Sequence, residues 1–274
     1  MQYERQEINL IGGGFQHSPS TSGYDPLYVT WVKGRQTSPI SMYVDHSIKQ
    51  PTNQNTKNYA WLVESKTINP SLYDWCSNNV RYLKDNFISV FTHDVYLASI
   101  STIFKLTQCS GKSFISSGEV YNKNKLVSMI ASNKVMCSEH RFRQEIINKY
   151  KNKCDHYGRG FNPIDNKVDG LRDYYFSFAM ENATYSNMFT EKITDCFMTG
   201  TIPIYYGMVN IGDFFNKAGI IMLDDSFKIE DLSVELYNSK LGAINENFRL
   251  ANELLVAEDY IYKHFLKDEI QYNT

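Results

Sequence analysis

Two short polar segments in the second half of the chain combine residue types that bind charged ligands. Glu181-Asn182 follows an apolar, aromatic stretch predicted to be a strand over 174–180, and Thr190-Glu191-Lys192 is predicted to begin a helix. Ligands bind at the carboxyl ends of strands in open α/β sheets, and the first turn of a helix offers free N–H groups to an anion. A lysine in that turn opposes the helix dipole, and an anionic ligand would remove the conflict. The segments therefore indicate an anion site, although a helix cap with two exposed charges fits the pattern equally well.

Arginines concentrate near these segments. Four of the eight fall within 32 residues, in a chain whose net charge is only −2. Arginine binds phosphate oxygens through a planar fork, and lysine supplies a point charge. Composition favours a solvated helix face for Arg143 and Arg172, and it leaves a ligand role open for Arg141 and Lys192. The four arginines are Arg141, Arg143, Arg159 and Arg172.

The first half of the chain offers weaker chemical signals. Gly12–Gly14 forms a turn after the first predicted strand, but position 17 is a histidine, so the dinucleotide fingerprint is incomplete. A structural role for His17 is favoured over contact with a hydroxyl group of a ligand. Taken alone, Glu64 is a surface carboxylate at the end of a strand predicted over 59–63. Asp224-Asp225 is interpreted as a turn and not as a metal site.

The elements that must position these residues alternate between apolar strands and helices with apolar stripes. This alternation is typical of parallel sheets, and its restart in the second half predicts two α/β domains facing a cleft. We place the domains at 1–115 and 116–274, and we leave open whether the last helices pack back on the N-terminal domain. Strands are predicted at 8–11, 41–45, 59–63, 88–91, 126–131, 154–157, 174–180, 202–206 and 219–223, and helices at 71–86, 94–106, 138–150, 191–199, 211–216 and within 240–267.

Composition narrows the class of protein. The chain has 274 residues, of which 42% are hydrophobic and 14% aromatic, enough to bury a large core. A net charge of −2 disfavours a general nucleic-acid binder. The absence of an apolar run of about 18–20 residues predicts no integral membrane segment, and the polar start is unlike a secretory signal. Five cysteines without metal-like spacing indicate reduced thiols of a cytoplasmic protein, with no metal site.

Residues 174–207, YYFSFAMENATYSNMFTEKITDCFMTGTIPIYYG, resemble the signature of the α-1,3-fucosyltransferase family. That signature has an aromatic strand, F-x-x-E-N, a short loop, T-E-K, a helix and G-T-[IV]-P-[IV]. Residues 128–160 are similar to the same family, with Ser-Asn, an arginine that heads a helix, and Asp-x-Tyr-Gly. The resemblance is specific over about 125–223 and partial before that.

The resemblance implies a GT-B architecture, with two Rossmann-like domains and the donor held mainly by the C-terminal one. It implies an inverting transfer of L-fucose from GDP-fucose to a glycan hydroxyl, without an obligatory bound metal. Matched residue by residue, Arg141 and Lys192 resemble the groups that hold the diphosphate, and Glu191 the acid that binds donor hydroxyls. Asn182 resembles a donor-site polar residue, Glu181 matches the motif of the same site, and Tyr157 is expected near the nucleotide base.

In this family the N-terminal half holds the acceptor and supplies the general base. Here Glu64, with Pro70 downstream, is similar to that base. If it is not the base, we expect the base among Asp45, His46 and His17. The resemblance and the composition together predict a cytoplasmic enzyme of a bacterium or a virus.

Three alternatives stay open. The first is a GT-B glycosyltransferase that uses another nucleotide sugar, because a few polar contacts decide the choice of sugar. The second is a non-catalytic protein that binds nucleotides or glycans. The third is a nicotinamide-dependent oxidoreductase that uses Gly12–Gly14, although the acidic residue expected about 20 positions later is lacking.

Overall fold

The computed structural model describes residues 5–16, 18–107, 111–135 and 137–268. These residues form two compact units. Unit 1 contains the described residues up to 107 and those from Leu255 onwards, and unit 2 contains Gly111–Leu254. Unit 2 therefore begins a few residues before the boundary that the sequence predicts.

Unit 1 is built on a six-stranded sheet in the order β2-β1-β3-β4-β5-β6, in which every neighbouring pair is parallel. All of its strands therefore end at one edge. The strands are β1 (Gln6–Ile11), β2 (Val29–Lys33), β3 (Ile40–Val44), β4 (Lys57–Trp61), β5 (Ser89–Thr92) and β6 (Phe104–Leu106). The helices are α1 (Pro70–Asn78), α2 (Val80–Asn86) and α3 (Val95–Ile100), and Asp45–Lys49 form a 3₁₀ turn.

Both faces of this sheet are buried, as parallel sheets require. Along β3, Met42 and Val44 join one apolar cluster, while Tyr43 between them joins the cluster on the opposite face. Tyr59 and Ala60 of β4 divide between the same two clusters. Alternation along a strand thus explains why these strands are continuous apolar runs.

Three predictions in unit 1 are wrong. The sequence pattern misses β2 and extends a helix over the residues that form β6. Both strands lie at the ends of the sheet, and β6 has only three residues, so neither shows a clear alternation. The helix predicted over 71–86 is two helices, because the Asn79 side chain donates to the Trp75 carbonyl at 2.8 Å and the backbone leaves the helical region there.

Unit 2 is built on a five-stranded parallel sheet in the order β11-β10-β9-β7-β8. Its strands are those that the sequence predicts, with small differences in their bounds. They are β7 (Lys125–Ile130), β8 (Asp155–Tyr157), β9 (Tyr174–Met180), β10 (Ile202–Tyr206) and β11 (Ile221–Met222). The helices are α4 (Ser138–Tyr150), α5 (Glu191–Phe197), α6 (Val234–Asn238) and α7 (Leu241–Glu253), and the helix predicted at 211–216 is only a 3₁₀ turn over Ile211–Asp213.

The start and end of α5 follow from local sequence signals. Thr190 is the N-cap, and its hydroxyl accepts the Lys192 N–H at 3.5 Å. Gly200 adopts a φ of +69°, which lets the chain turn out of the helix and enter β10. Threonine is a favoured N-cap and glycine a favoured residue after a helix, so both agree with the helix that the sequence predicts over 191–199. The strand β9, which precedes the helix, lies at the centre of the sheet. Hydrogen bonds between Glu181 and Thr190 place the start of α5 beside the carboxyl end of β9.

The last described helix, α8 (Ala257–Ile261), belongs to unit 1 and continues into a π-helical turn. Its two acids hold a loop that lies more than 230 residues earlier in the chain. Glu258 accepts the Thr21 N–H at 2.7 Å, and Asp259 accepts the N–H groups of Leu27 and Tyr28 at 2.8 and 2.9 Å. The last helix thus packs on the N-terminal unit, the arrangement that the sequence leaves open.

The Glu258 contact predicts a pH-dependent stability. Burial raises the pKa of Glu258 from its ordinary value of 4.5 to about 7. Because the folded state holds this proton more tightly than the unfolded chain, the contribution of Glu258 falls as pH rises from about 4.5 to about 7. Glu258→Gln keeps an acceptor for Thr21 and removes the charge. We expect the melting temperature of Glu258→Gln relative to wild type to rise between pH 5 and pH 8.

The control is Asp85→Asn, which removes an exposed carboxylate that pairs with Arg81 at 3.9 Å. Its difference from wild type should stay nearly constant over the same range. A difference for Glu258→Gln that does not change with pH would show that Glu258 titrates alike in the folded and unfolded chain.

Candidate functional site

A cavity of about 280 Å³ lies near the carboxyl ends of β7, β8 and β9 in unit 2. Residues of the three strand ends and of the first turns of α5 contribute to its walls. Basic side chains outnumber acidic ones four to two on these walls, so the cavity suits a ligand with negative charge. The charged residues are Arg143, Arg159, Lys167, Glu191, Lys192 and Asp195.

A buried carboxylate holds Lys192 at this cavity. Glu181 is 1% exposed and accepts the N–H and the hydroxyl of Thr190 at 2.8 and 2.6 Å. The Lys192 ammonium donates to Glu181 at 3.2 Å and to the Thr190 hydroxyl at 2.8 Å. Burial opposes the charge of Lys192, but Glu181 and Glu191 outweigh it and raise the pKa of the ammonium. The conflict with the helix dipole, which we expected an anionic ligand to relieve, is relieved by Glu181 inside the protein.

The ion-pair network continues along α5 through Glu191, which lies 3.7 Å from the Lys192 ammonium. Lys167 donates to Asp195 at 2.6 Å and contacts Glu191 at 3.3 Å. Asp195 also accepts the Ser113 hydroxyl at 2.6 Å, which fixes its orientation. Burial alone would raise the pKa of Glu191, but Lys192 and Lys167 lower it to about 2. Glu191 is therefore ionised at neutral pH.

Arg143 is the residue that sequence reasoning misses. It is 6% exposed and lines the cavity, so the expectation of a solvated helix face is wrong for this arginine. Its Nη2 lies 3.5 Å from the carbonyls of Ser132 and Lys134, and its Nε is buried without a partner among the described residues. Lys167 and Lys192 have carboxylate partners, whereas Arg143 has none within the described ranges. A buried cation of this kind needs an anionic partner.

Arg141, which the family resemblance matches to a diphosphate ligand, is exposed and is not among the cavity residues. Two positions along an α-helix correspond to about 200°, so Arg141 and Arg143 face nearly opposite sides of α4. The signal that would have found Arg143 is the apolar stripe of this helix. Ile146, Ile147 and Tyr150 lie three, four and seven positions after Arg143, so they share its face.

Asn182 and Tyr157 lie beside the cavity without lining it. The Asn182 side-chain oxygen is 3.3 Å from Nε2 of His140, a buried histidine that the sequence did not single out. Burial and the nearby Arg143 lower the pKa of His140, so its ring is neutral at neutral pH. The Tyr157 hydroxyl is 2.7 Å from that of Tyr174. The two residues that follow Tyr157, and not its own ring, reach the cavity wall.

In unit 1, Glu64 is exposed and lies three residues after the end of β4, which ends two residues earlier than the sequence predicts. Its backbone is held on both sides. Oδ1 of Asp45 accepts the N–H groups of Val63 and Glu64 at 2.9 and 3.3 Å, and the Tyr73 hydroxyl donates to the Glu64 carbonyl at 2.7 Å. The structure thus fixes the Glu64 loop and leaves its carboxylate accessible at the carboxyl edge of the sheet.

The alternative candidates for the base differ in their environments. Asp45 adopts a left-handed φ of +48°, and burial raises its pKa. His46 is exposed, and His17 lies outside the described residues. His93, which the sequence did not single out, is 2% exposed with a pKa lowered to about 4 by burial. His93 is 3.3 Å from the Tyr73 hydroxyl and thus supports the same loop.

In the part of the chain that the structure describes, no three or more His, Cys, Asp or Glu residues cluster as metal ligands. No helix in that part has the length and apolarity needed to cross a membrane. The four described cysteines are buried and unpaired, and Cys109 lies outside the described residues.

Residues 120–250 match the family model described as glycosyltransferase family 10 (fucosyltransferase), C-terminal part. This part of the chain, just under half of its length, is similar to glycosyltransferase family 10. The matched range contains every residue that lines the cavity, including Arg143 and Lys192. The family resemblance that the motifs carry is therefore confirmed.

A curated relative, an α-(1,3)-fucosyltransferase of Helicobacter pylori, is 34% identical over 76 residues. The match covers 28% of this chain and 16% of that relative. A solved α1,3-fucosyltransferase with GDP-fucose is similar over 98% of this chain and 91% of its own, with a TM-score of 0.55 and 14% identity. The avilamycin glycosyltransferase AviGT4 is similar over 97% and 98%, with a TM-score of 0.52 and 10% identity. These similarities show that the two α/β units have the GT-B fold.

The geometry predicts that Arg143, and not Arg141, binds anions at the cavity. Inorganic pyrophosphate should raise the melting temperature of the wild-type protein by mass action. Arg143→Ala should weaken pyrophosphate binding by about 10- to 100-fold, because a hydrogen bond to a charged group contributes about 1.5–3 kcal/mol. The matched variant Arg141→Ala lies on the same helix and should bind as the wild type does. Calorimetric titration measures both, and equal losses in the two variants would contradict the assignment.

Proposed function

We propose that this chain is an inverting glycosyltransferase that moves L-fucose from GDP-fucose to a hydroxyl of a glycan acceptor. The observation that carries the proposal is the buried Arg143, without a carboxylate partner among the described residues, at the same cavity as Lys192 in the family 10 region. The motifs and the relatives named as fucosyltransferases support the choice of donor.

In this proposal the diphosphate lies between Arg143 and Lys192, so Arg143 takes the role first expected of Arg141. Negative charge grows on the diphosphate as the bond to the sugar breaks. Fixed cations stabilise that charge without reorganising during the reaction. Glu181 acts as a positioning residue, because its carboxylate is fully used by Thr190 and Lys192 and does not line the cavity.

The polar groups around the diphosphate site fit the rest of the donor. Glu191 is ionised and accepts hydrogen bonds from the sugar or ribose hydroxyls. Asn182, held by His140, is the second polar residue on this side. We assign Tyr157 to the neighbourhood of the base, and the lining of the cavity by the next two residues supports this assignment. We also propose that no metal is obligatory, because Arg143 and Lys192 carry the charge that a metal would otherwise neutralise.

Glu64 is proposed as the general base that removes the proton of the acceptor hydroxyl. Inversion needs a base on the face of the sugar opposite to the leaving group. The contacts from Asp45 and Tyr73 support this role, because they hold the backbone of Glu64 while its carboxylate stays free to move onto a substrate.

A donor panel tests the proposal. The wild-type protein is incubated with GDP-, UDP- and dTDP-sugars, with and without EDTA, and the released nucleotide is measured. We expect GDP-fucose to be turned over fastest and EDTA to have little effect. Faster turnover of another nucleotide sugar would replace the donor. GDP binding without turnover on a broad acceptor panel would indicate a binding protein, and a loss in EDTA restored by Mg²⁺ or Mn²⁺ would make a metal obligatory.

Glu64→Gln tests the base. The substitution keeps the shape of the side chain and removes its basicity, so transfer should fall by about 10²- to 10⁴-fold. GDP affinity should hardly change, because the proposed donor residues all lie in unit 2. Asp74→Asn, an exposed acid on α1 of the same unit, is the control and should transfer normally. If Glu64→Gln transfers sugar within about threefold of wild type, the base is another residue, with Asp45 the first to test.

A further inference from the structure

Arg159 is a second arginine at the cavity without an ion-pair partner among the described residues. It lines the cavity wall and is otherwise exposed. The arginine nearest to it in the downstream sequence, Arg172, contacts Asp169 and Asp173 at 3.5 and 3.9 Å. Lys192 at the same cavity contacts Glu181. Arg159 is thus a guanidinium whose donors are free for a ligand.

The backbone on both sides of Arg159 is fixed by two glycines. Gly158 and Gly160 have φ values of +104° and +94°, which side chains rarely tolerate. A Cβ on Gly158 would lie 2.2 Å from the Ala131 carbonyl oxygen, and one on Gly160 would lie 2.8 Å from Asn133. The Asn133 N–H donates to the Arg159 carbonyl at 3.1 Å. The turn therefore packs tightly on the loop after β7 and holds the Arg159 backbone at the cavity.

The order of the strands separates Arg159 from the proposed diphosphate site by about the length of a ribose and a base. Lys192 lies in the first turn of the helix after β9, Arg143 lies on the helix after β7, and Arg159 lies two residues after the end of β8. The end of β8 is two strand spacings from the end of β9, or about 10 Å. In a nucleoside diphosphate the ribose separates the base from the phosphates. A nucleotide with its phosphates at Arg143 and Lys192 thus extends its base towards Arg159.

We propose that Arg159 selects guanine in the donor. Its guanidinium donates bidentate hydrogen bonds to O6 and N7 of the base. This assignment rests on the proposed function, which supplies the nucleotide. Both atoms are acceptors in guanine and match the arginine fork, whereas adenine presents an amino donor in place of O6. Uracil has no equivalent pair of acceptors at that position. Arg159 therefore favours guanine and disfavours the other bases.

Titration calorimetry with GDP, IDP and ADP tests the assignment. IDP keeps O6 and N7 and lacks only the 2-amino group. For Arg159→Ala we expect GDP and IDP affinity to fall by about 5- to 150-fold, the range for one such pair. ADP affinity should stay unchanged, so the preference for GDP over ADP largely disappears. Arg159→Lys should recover only part of the loss, because a point charge does not reproduce the fork.

The control is Arg172→Ala, which removes an exposed arginine that does not line the cavity and should leave all three affinities unchanged. Equal losses of GDP, IDP and ADP in Arg159→Ala would indicate a phosphate contact, and wild-type affinities would indicate no contact. Either result overturns the selection of guanine while the proposed function stands. If the wild-type protein binds none of the three nucleotides, the proposed function fails together with this assignment.

Discussion

The buried carboxylate of Glu181 is the contact on which the candidate site depends. It directly follows the central strand β9 and connects that strand to the first turn of α5 through Thr190 and Lys192. A buried carboxylate is costly unless its oxygens are paired, and here a backbone N–H, a hydroxyl and an ammonium pair it. The same contacts hold the Lys192 ammonium at the cavity wall. The one residue Glu181 therefore positions both the first turn of α5 and the ammonium group at this wall of the cavity.

How much of the structure the sequence predicts depends on how local each signal is. The bounds of β9 and β10 are predicted correctly, because each strand is an apolar run. The caps of α5 are predicted correctly, because Thr190 and Gly200 act on the backbone next to them. The role of Arg143 depends on which face of α4 packs against the sheet. The number and positions of the arginines in the sequence do not show which face that is. The strand β2 is missed because an end strand is covered less fully and shows little alternation.

In the N-terminal unit, the strands follow from local sequence, whereas the contacts that hold the loops join residues distant in the sequence. Its strands β3 and β4 are predicted within a few residues, yet the groups that hold its loops come from elsewhere in the chain. Asp45 holds the backbone of Glu64 from the neighbouring strand end, and the pairing of Thr21 with Glu258 spans 237 positions. No sequence window includes both partners of such a contact, so the candidate base is placed by the resemblance and its support is visible only in the fold.

The division of the last helices between the units has a consequence for biosynthesis. Unit 2 is one continuous segment that ends at Leu254, whereas the core of unit 1 includes Ala257, Ile261 and Leu266 from the far end of the chain. During translation, domains fold as their residues emerge from the ribosome. The cavity-bearing unit is therefore complete first, although it is encoded second. Folding of the N-terminal unit is completed only after α8 has been synthesised. Until then, part of the apolar face of its sheet is uncovered.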